Sequence, residues 1–311
     1  MSKNPVWIAG VTRGHNGGVC LLKDGEIVFS IEEERLSRLK YDGGPFASMV
    51  KILDYTDKLD YMVIAHTMPL KDSSNRIDFT DDDVYTGLAR KLGLIDQHVS
   101  PHNHPQVIDL SHMHHKLHAA CAFYRSGFDD AVSVVVDGAG TSFFTTVDDN
   151  QQVVIHETES VIDCSYPANF TTVHKVYGTK NPIVGKIMQI KSDVHGEHGF
   201  THNAVIHDGG GIAKAYEATT LFCGFMPIEA GKTMGLSPYG KPNDNIPKLF
   251  DDTKQYPLAN RNVIVPNYPN GAFVNSFLFD ALNETPELDQ DLTLLQSRRD
   301  LAYAVQSETQ D

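Results

Sequence analysis

The sequence predicts an α/β fold built from two halves that open in the same way. Each half begins with three short apolar segments of strand-like composition, at residues 6–11, 17–22 and 26–31 in the first half and at residues 131–136, 141–147 and 152–157 in the second. Hairpin turns precede the third segments, at residues 23–25 and 148–150, and they are rich in Asp, Asn or Gly, which tolerate positive φ angles. The matching order favours a duplication over two unrelated β-meanders.

Further helices and strands are expected after each opening. In the first half, apolar periodicity predicts helices at residues 46–55 and 82–94 and strands at residues 61–65 and 107–110. In the second half we expect an irregular, histidine-rich insertion at about residues 164–208 and a glycine-punctuated loop at residues 231–240. Helices are expected at residues 211–223 and 291–308, with short strands within residues 249–278.

Two such halves suggest a duplicated ribonuclease-H-like unit, the architecture of the actin, sugar-kinase and Hsp70 ATPase superfamily. We place the first lobe at residues 1–128 and the second at residues 129–311, where the pattern stops before the last two strands. The fourth strand neighbours the first in this architecture, so the strand at residues 131–136 is expected to keep an unpaired, apolar edge. Such an edge invites aggregation or capture of a partner strand. We therefore expect a fragment, or one half of a split protein.

Composition excludes several classes of function. The net charge of -14 over 311 residues argues against broad nucleic-acid binding, which needs a basic face. The four cysteines (Cys20, Cys121, Cys164 and Cys223) lack CxxC spacing, so they are expected to be reduced in a cytosolic protein. The sequence shows neither a secretory signal pattern nor an apolar run of membrane-spanning length, so we expect a cytoplasmic protein without a membrane partner.

Four histidines lie within seven residues, at His112, His114, His115 and His118. On a helix, His114 and His118 share one face because they are four residues apart, and two imidazoles one turn apart can clamp a divalent metal. His115 and His118 would also share a face, so spacing alone does not choose the pair. The alternative is a surface helix that is merely rich in histidine.

Several segments, in the same order, resemble those of one family. Residues 114–120 (HHKLHAA) are similar to an HHxxHAA segment, and residues 231–240 (GKTMGLSPYG) are similar to a GKxMGLAPYG segment. Residues 33–40 resemble EERFTRxK, and residues 10–18, with His15, resemble a glycine- and histidine-containing opening. Together they resemble the O-carbamoyltransferases that modify nodulation factors, cephalosporins and aminoglycosides.

The resemblance implies both a fold and a reaction. Such enzymes have an N-terminal actin-like domain and a C-terminal YrdC-like domain, which makes carbamoyl adenylate from ATP and carbamoyl phosphate. The actin-like domain then passes the carbamoyl group to a hydroxyl of a small-molecule acceptor and releases AMP. This sequence would cover most of the first domain and would lack the YrdC-like domain, which a separate polypeptide could supply.

The resemblance also implies roles for individual residues. His114, His118 and Asp137 would hold a divalent metal, with iron favoured and Mg²⁺ or Mn²⁺ as alternatives. Asp137 has two alternative roles. Its carboxylate could orient metal-bound water, or its side chain could open a turn. A further acidic ligand belongs to the part of the family domain that this sequence does not contain, so metal binding by the chain alone is expected to be weak.

Five other positions are candidates on the same basis. Gly138 and Gly140 would let the backbone approach a phosphate, although a tight turn also explains them. Lys232 would neutralise a phosphate or carbamoyl oxygen. His15 would take the proton of the acceptor hydroxyl, and Lys40 would contact an anionic group. The alternative for the lysines is a solvated surface, and for His15 a structural place in a turn.

The sequence also departs from the family pattern. Asn16 and Gly17 stand where Asp and Ser are usual, Tyr41 stands where His is usual, and residues 164–208 differ most, which leaves the acceptor open. The other functions considered are a threonylcarbamoyl-transferase-like enzyme acting on tRNA, which the acidic charge disfavours, and a non-catalytic nucleotide-binding remnant. Our prediction is an enzyme, a carbamoyltransferase.

Overall fold

The computed structural model describes residues 4–67, 83–97, 104–147, 151–180, 186–188, 203–251, 258–275, 278, 282 and 290–310. The chain divides into two compact units, Met1–Leu117 and His118–Asp311. This division falls inside one helix, earlier in the chain than the expected boundary after residue 128. Each unit contains its own sheet and core.

The first unit is organised around a five-stranded sheet with the order β3-β2-β1-β4-β5. Its strands are β1 (Trp7–Thr12), β2 (Gly18–Lys23), β3 (Glu26–Glu32), β4 (Tyr61–Ile64) and β5 (Val107–Asp109). The first three strands pair antiparallel, whereas β1, β4 and β5 run parallel to one another. All five predicted strands are confirmed, and so is the first hairpin, where Asp24 and Gly25 have φ values of 53° and 88°.

Helices cover this sheet through an aliphatic core that includes Leu21, Met49, Met62 and Ala89. The helices are α1 (Glu33–Ser37), α2 (Phe46–Val50), which continues as a 3₁₀ turn at Lys51–Asp54, and α3 (Val84–Lys91). Helix α2 with its 3₁₀ turn and helix α3 confirm the predicted helices, with α3 shorter than expected, whereas α1 was not predicted. The carboxylate of Asp83 accepts the backbone N–H groups of residues 85 and 86 and fixes where α3 begins.

The histidine segment forms a 3₁₀ turn at Ser111–Met113 and then helix α4 (His114–Ser126). Gly127 ends the helix with a φ of 77°, a left-handed conformation that glycine adopts without strain. The helix predicted from the sequence is thus confirmed, and the division between the two units falls between its fourth and fifth residues.

The second unit contains a six-stranded sheet with the order β10-β11-β9-β8-β6, and β7 pairs with β8 beside this path. Its strands are β6 (Asp130–Val136), β7 (Ser142–Val147), β8 (Gln151–Ser165), β9 (Asn169–Gly178), β10 (Lys186–Met188) and β11 (Asn203–His207). The strands predicted for the opening of the second half are therefore present. The hairpin expected at residues 148–150 lies outside the described residues.

The pairing of these strands differs from that in the first unit. There the first strand pairs with the second, whereas here β6 pairs antiparallel with β8, the third strand of its half. The cause is the length of β8, because its first part pairs with β7 and the remainder with β6. The α/β class is shown, while the repeated three-stranded meander expected from the sequence is not reproduced in the second unit.

Two further expectations for the second half were wrong. The stretch at residues 164–208, expected to be an irregular insertion, contributes β9, β10 and β11, and alternating exposed and half-buried residues along the first part of β9 are typical of a strand. Residues 231–240, expected to be a loop, form helix α6 (Ala230–Leu236) and a 3₁₀ turn at Ser237–Tyr239. The two glycines in α6 lower its helix propensity without preventing the helix.

The rest of the second unit packs around α5 (Ile212–Phe222). Its core joins Ala215, Ala218 and Phe222 to Leu301 and Val305 of α7 (Gln296–Glu308). Two small antiparallel pairs complete the unit, β12 (Phe250–Asp251) with β13 (Leu258–Ala259) and β14 (Ile264–Pro266) with β15 (Ala272–Val274). Among the described residues, every helix falls short of the length and apolar character that a membrane crossing requires.

Candidate metal centre

The packing of α4 on the second sheet positions the candidate site. Ala119 and Phe123 of α4 are buried against Val135 of β6 and against Ile162 and Cys164 of β8. This contact lays the first turns of α4 along the sheet near the end of β6. Asp137 follows the last residue of β6, so its carboxylate comes from the end of the strand that α4 covers.

Three predicted ligands come together at this point. One ligand atom from each of His114, His118 and Asp137 lies within 4.8 Å of the other two. His114 and Asp137 are half-buried and His118 is exposed. The helical spacing left open whether His114 or His115 joins His118. The geometry selects His114, since His115 points into the protein and is completely buried.

The donor set fits a divalent transition metal. Two imidazole nitrogens and one carboxylate oxygen are the ligands typical of non-haem iron sites, which keep further positions open for other ligands. Metal–ligand bonds of about 2.0–2.2 Å require donor atoms to be closer to one another than about 4.4 Å. The limit of 4.8 Å within which the three ligand atoms lie is close to this value. The chemistry of the three side chains is thus compatible with the predicted metal.

Hydrogen bonds hold Asp137 in place. Its backbone N–H donates to the carbonyl of Thr158 over 2.8 Å, and its Oδ1 accepts the N–H of Gly138 over 2.7 Å. Asp137 therefore makes the side-chain contact expected of a residue that opens a turn. It leaves Oδ2 as the oxygen that does not cap the turn.

Buried charged groups surround Asp137 within the second unit. Lys214 of α5 is 1% exposed, and its Nζ donates to Glu217 Oε2 and to the carbonyl of Pro269, each over 2.8 Å. Burial lowers the pKa of Lys214 and raises that of Glu217, while their mutual attraction opposes both shifts. The charge of Asp137 also acts on both groups.

Glu159, from β8, is another carboxylate near Asp137. Burial raises its pKa to about 7, helped by the negative charge of Asp137 and opposed by hydrogen bonds from the Thr158 hydroxyl and the Ile212 backbone. The Ile212 N–H belongs to the first turn of α5, where the helix dipole favours a negative group.

The two predicted phosphate-binding glycines already have contacts. A Cβ at residue 138 would overlap the carboxylate of Glu217, the far end of a flexible side chain, so glycine makes room for this carboxylate in its present position. The N–H of Gly140 donates to the carbonyl of Glu157 over 2.8 Å. The role of both glycines toward a phosphate stays a prediction.

The remaining candidates have partners of their own. Lys232 pairs with Glu229 at 2.5 Å, and Lys40 lies 3.2 Å from both carboxylate oxygens of Glu34, with more than half of each lysine side chain exposed. His15 is exposed, and its Nδ1 contacts the side-chain oxygen of Asn16. Their predicted roles toward substrates therefore stay predictions.

The sequence reasoning did not single out Lys214, Glu217, His66 or Tyr85. For Lys214 a signal existed, because it stands among the buried residues of α5, where charged residues are unusual, and Glu217 follows three residues later on the same helix. His66 and Tyr85 are distant in sequence from every motif. Their contact, 3.0 Å between His66 Nδ1 and Tyr85 Oη, follows only from the packing of α3 beside β4.

The fold and this cluster define an α/β protein with a candidate two-histidine, one-carboxylate metal centre. A family model described as "Carbamoyltransferase N-terminus" matches residues 98–307, which include the cluster and most of the second unit. The chain belongs to this carbamoyltransferase family, and the resemblance predicted from its motifs is confirmed at the level of the family.

Two curated relatives are similar to the chain. Nodulation protein NolNO of Sinorhizobium fredii is 29% identical over 40% of the chain and 20% of its own length. A Synechocystis sp. protein, "Uncharacterized protein sll1178", is 23% identical over 95% of the chain and 45% of its own length. The chain thus spans less than half the length of either relative.

Proposed function

We propose that the chain is the N-terminal part of an O-carbamoyltransferase, which transfers a carbamoyl group from carbamoyl adenylate to a hydroxyl of a small-molecule acceptor. One observation carries the proposal, namely the convergence of His114, His118 and Asp137 in a member of the carbamoyltransferase family. Neither the cluster nor the family membership suffices alone. Acidic and histidine clusters are common, and family membership does not identify the reacting groups.

The reaction requires an acceptor oxygen to attack the carbamoyl carbon while the bond from that carbon to the adenylate phosphate oxygen breaks. The products are the O-carbamoylated acceptor, AMP and a proton. A divalent cation held by His114, His118 and Asp137 would offset the charge that develops on the leaving phosphate. The exposure of His118 and the closeness of its ring to the Asp137 carboxylate support this assignment.

The other residues are assigned to binding and proton transfer. His15, exposed after β1, accepts the proton of the acceptor hydroxyl. Lys40 and Lys232 attract anionic groups, with Glu34 and Glu229 holding their side chains in position. Gly138 and Gly140 line the phosphate side. ATP and carbamoyl phosphate are the co-substrates, and a YrdC-like part, in the same or a separate polypeptide, supplies the carbamoyl adenylate.

The metal ligands provide a direct test. In the chain completed with its C-terminal part, we expect His118→Ala to reduce the retention of divalent iron, measured by elemental analysis after dialysis, at least tenfold, because the site loses one of its donors. His112→Ala is the matched control, since it removes a histidine from the same segment but outside the cluster. Equal retention in the His118→Ala variant and the unsubstituted chain would contradict the centre.

Activity is tested separately. Carbamoyl transfer to a panel of hydroxylated acceptors should appear when the chain is combined with a YrdC-like protein, ATP and carbamoyl phosphate. It should fall to background in the His118→Ala variant. Transfer that persists in that variant would show that the cluster is not the reaction centre.

A further inference from the structure

A bulge at residues 137–141 carries the candidate ligand Asp137 and interrupts the strand pairing along β8. Strand β6 ends opposite residue 159 of β8, and β7 begins opposite residue 156, both in the antiparallel sense. The five residues of the bulge therefore lie opposite two residues of β8. Bulges re-aim side chains and are common beside active sites.

Backbone hydrogen bonds attach both ends of this bulge to β8. At its start, the N–H of Asp137 donates to the carbonyl of Thr158 over 2.8 Å. Near its end, the N–H of Gly140 donates to the carbonyl of Glu157 over 2.8 Å, and the N–H of Glu157 donates to the carbonyl of Thr141 over 3.2 Å. Two neighbouring residues of β8 thus hold the segment that begins with the candidate ligand.

The side chain of Glu157 adds a contact at the end of the bulge. Its Oε2 accepts the N–H of Thr141 over 2.9 Å, so Glu157 holds both the N–H and the carbonyl of Thr141. The Glu157 side chain is 1% exposed, and Thr141 is completely buried. A carboxylate in such a place needs a partner, because a buried unpaired charge is strongly unfavourable.

Lys175 of β9 is a partner of this carboxylate. Its Nζ donates to Oε1 of Glu157 and lies 5.7 Å from the centre of the Tyr177 ring. The Lys175 side chain is 7% exposed, so both charges of the pair are removed from water. One carboxylate oxygen thus binds the lysine while the other binds the backbone of the bulge, which fixes the direction of the carboxylate toward Thr141.

The stability of the fold and the geometry of the bulge can be separated by substitution. The cost of taking both groups of a buried ion pair out of water offsets most of their attraction, and apolar residues of similar size often replace such a pair without loss of stability. Apolar residues cannot, however, accept the N–H of Thr141.

We propose that Glu157 is a positioning residue for the candidate metal centre, and that Lys175 holds its carboxylate against Thr141. The inference rests on the metal centre of the proposed function and adds two residues that act behind its ligands. Glu157 fixes the backbone of the bulge, and the bulge directs the side chain of Asp137 toward the two histidines. Groups that orient metal ligands from behind commonly change metal affinity by about tenfold to a hundredfold.

The first experiment measures metal affinity and stability in the chain completed with its C-terminal part. Co²⁺ is the probe, because its visible absorption reports both binding and coordination. Glu157→Leu with Lys175→Met removes the pair without leaving a buried charge, and we expect it to raise the Co²⁺ dissociation constant about tenfold while the urea unfolding midpoint stays close to that of the unsubstituted protein. Glu157→Gln with Lys175→Met keeps an oxygen for the N–H of Thr141 and should recover most of the affinity.

Thr179→Val is the matched control. The Thr179 hydroxyl donates to the carbonyl of Val154 in β8 over 2.7 Å, away from the bulge. Its loss should lower the urea midpoint and leave the Co²⁺ dissociation constant unchanged. An unchanged dissociation constant in the Leu–Met variant would overturn the positioning role, and so would an equal loss of affinity in the Leu–Met and Gln–Met variants.

Hydrogen exchange tests the same contact without any substitution. We expect NMR of the unsubstituted chain at pH 7 to show the N–H of Thr141 as strongly protected as that of Gly140, because both are bonded to Glu157. Exchange of the Thr141 N–H at the rate of an unstructured amide would overturn the inference.

The outcomes separate this inference from the proposed function. If His118→Ala binds Co²⁺ as tightly as the unsubstituted protein, or the unsubstituted protein fails to bind it, the proposed function is wrong and the positioning role falls with it. If His118→Ala loses Co²⁺ while the Leu–Met variant keeps it, the positioning role alone is wrong.

Discussion

Environment decides what each histidine can do. His118 is exposed and belongs to the candidate metal cluster. His156 is 5% exposed, its Nδ1 is hydrogen-bonded to the hydroxyl of Ser142 over 2.8 Å, and its ring stacks on Tyr268 with ring centroids 5.9 Å apart. Burial lowers the pKa of His156 to about 4, and the charges of Lys214 and Lys180 contribute. The ring of His156 is therefore a neutral core group.

This buried histidine should make stability depend on pH. Between pH of about 4 and about 6.5 the unfolded chain binds a proton at His156 that the folded chain does not, so the free energy of unfolding falls as the pH is lowered through this range. We expect His156→Gln to remove up to about 3 kcal/mol of this loss, measured by urea unfolding at a series of pH values.

The matched control is Ser142→Ala, which removes the hydroxyl next to His156 and keeps the buried imidazole. This variant should be less stable at every pH but should keep most of the pH dependence. If the free energy of unfolding changed with pH as steeply in His156→Gln as in the unsubstituted chain, His156 would not be the group that causes the pH dependence.

At the level of elements, two glycines of residues 231–240 differ in whether the fold requires them. Gly235 lies within α6, and a Cβ there would meet no other atom within 4 Å. Gly240 follows the 3₁₀ turn, and a Cβ there would overlap the carbonyl oxygen of Arg299 in α7. The second glycine is thus required by the packing of α7, and the first is not required by the fold.

Alanine substitutions should separate the two glycines. Gly240→Ala should lower the free energy of unfolding by about 1–3 kcal/mol, because the backbone of α7 has to move. Gly235→Ala should raise it by about 0.5–1 kcal/mol, because alanine favours the helix. Thermal or urea unfolding measures both, and each variant is the control for the other. Equal changes in the free energy of unfolding of the two variants would contradict the placement of Gly235 and Gly240.

At the scale of the whole molecule, the outer face of β6 exposes a row of apolar side chains. Val132, Val134 and Val136 alternate along the strand and are 65%, 68% and 44% exposed, while Val135 between them is buried under α4. Within the described part of the chain, β6 stands at the end of its sheet with β8 as its neighbour. The apolar, unpaired edge expected from the sequence is therefore present among the described residues.

Such a face should cause association. We expect the purified chain to show concentration-dependent self-association in sedimentation velocity, and Val132→Thr with Val134→Thr to reduce it, because polar side chains weaken the apolar contact. Ile27→Thr is the control, since this residue is 53% exposed on the sheet of the first unit. A monomeric, monodisperse chain with a cooperative melt would contradict both this prediction and the expected fragment or split protein.

Local patterns could predict most of the described elements, whereas the candidate metal ligands came from the family resemblance. The strands of the first unit and the helix at residues 114–126 follow from apolar periodicity and turn residues, which act between near neighbours in sequence. The partner of β6 could not be predicted in this way, because pairing with β7 and with β8 satisfy the same local preferences. The choice depends on how far β8 extends, and this is decided by the strands packed on its other side.

The sequence by itself determined that this is an α/β carbamoyltransferase-family chain, that His114, His115 and His118 stand on one helix, and that His114, His118 and Asp137 are the candidate ligands. Only the tertiary structure decided that these three side chains meet, that His115 turns inward, and that Tyr85 holds His66. The physical reason is that spacing on a helix fixes relative directions over one or two turns, whereas contacts between distant segments depend on which faces become buried together.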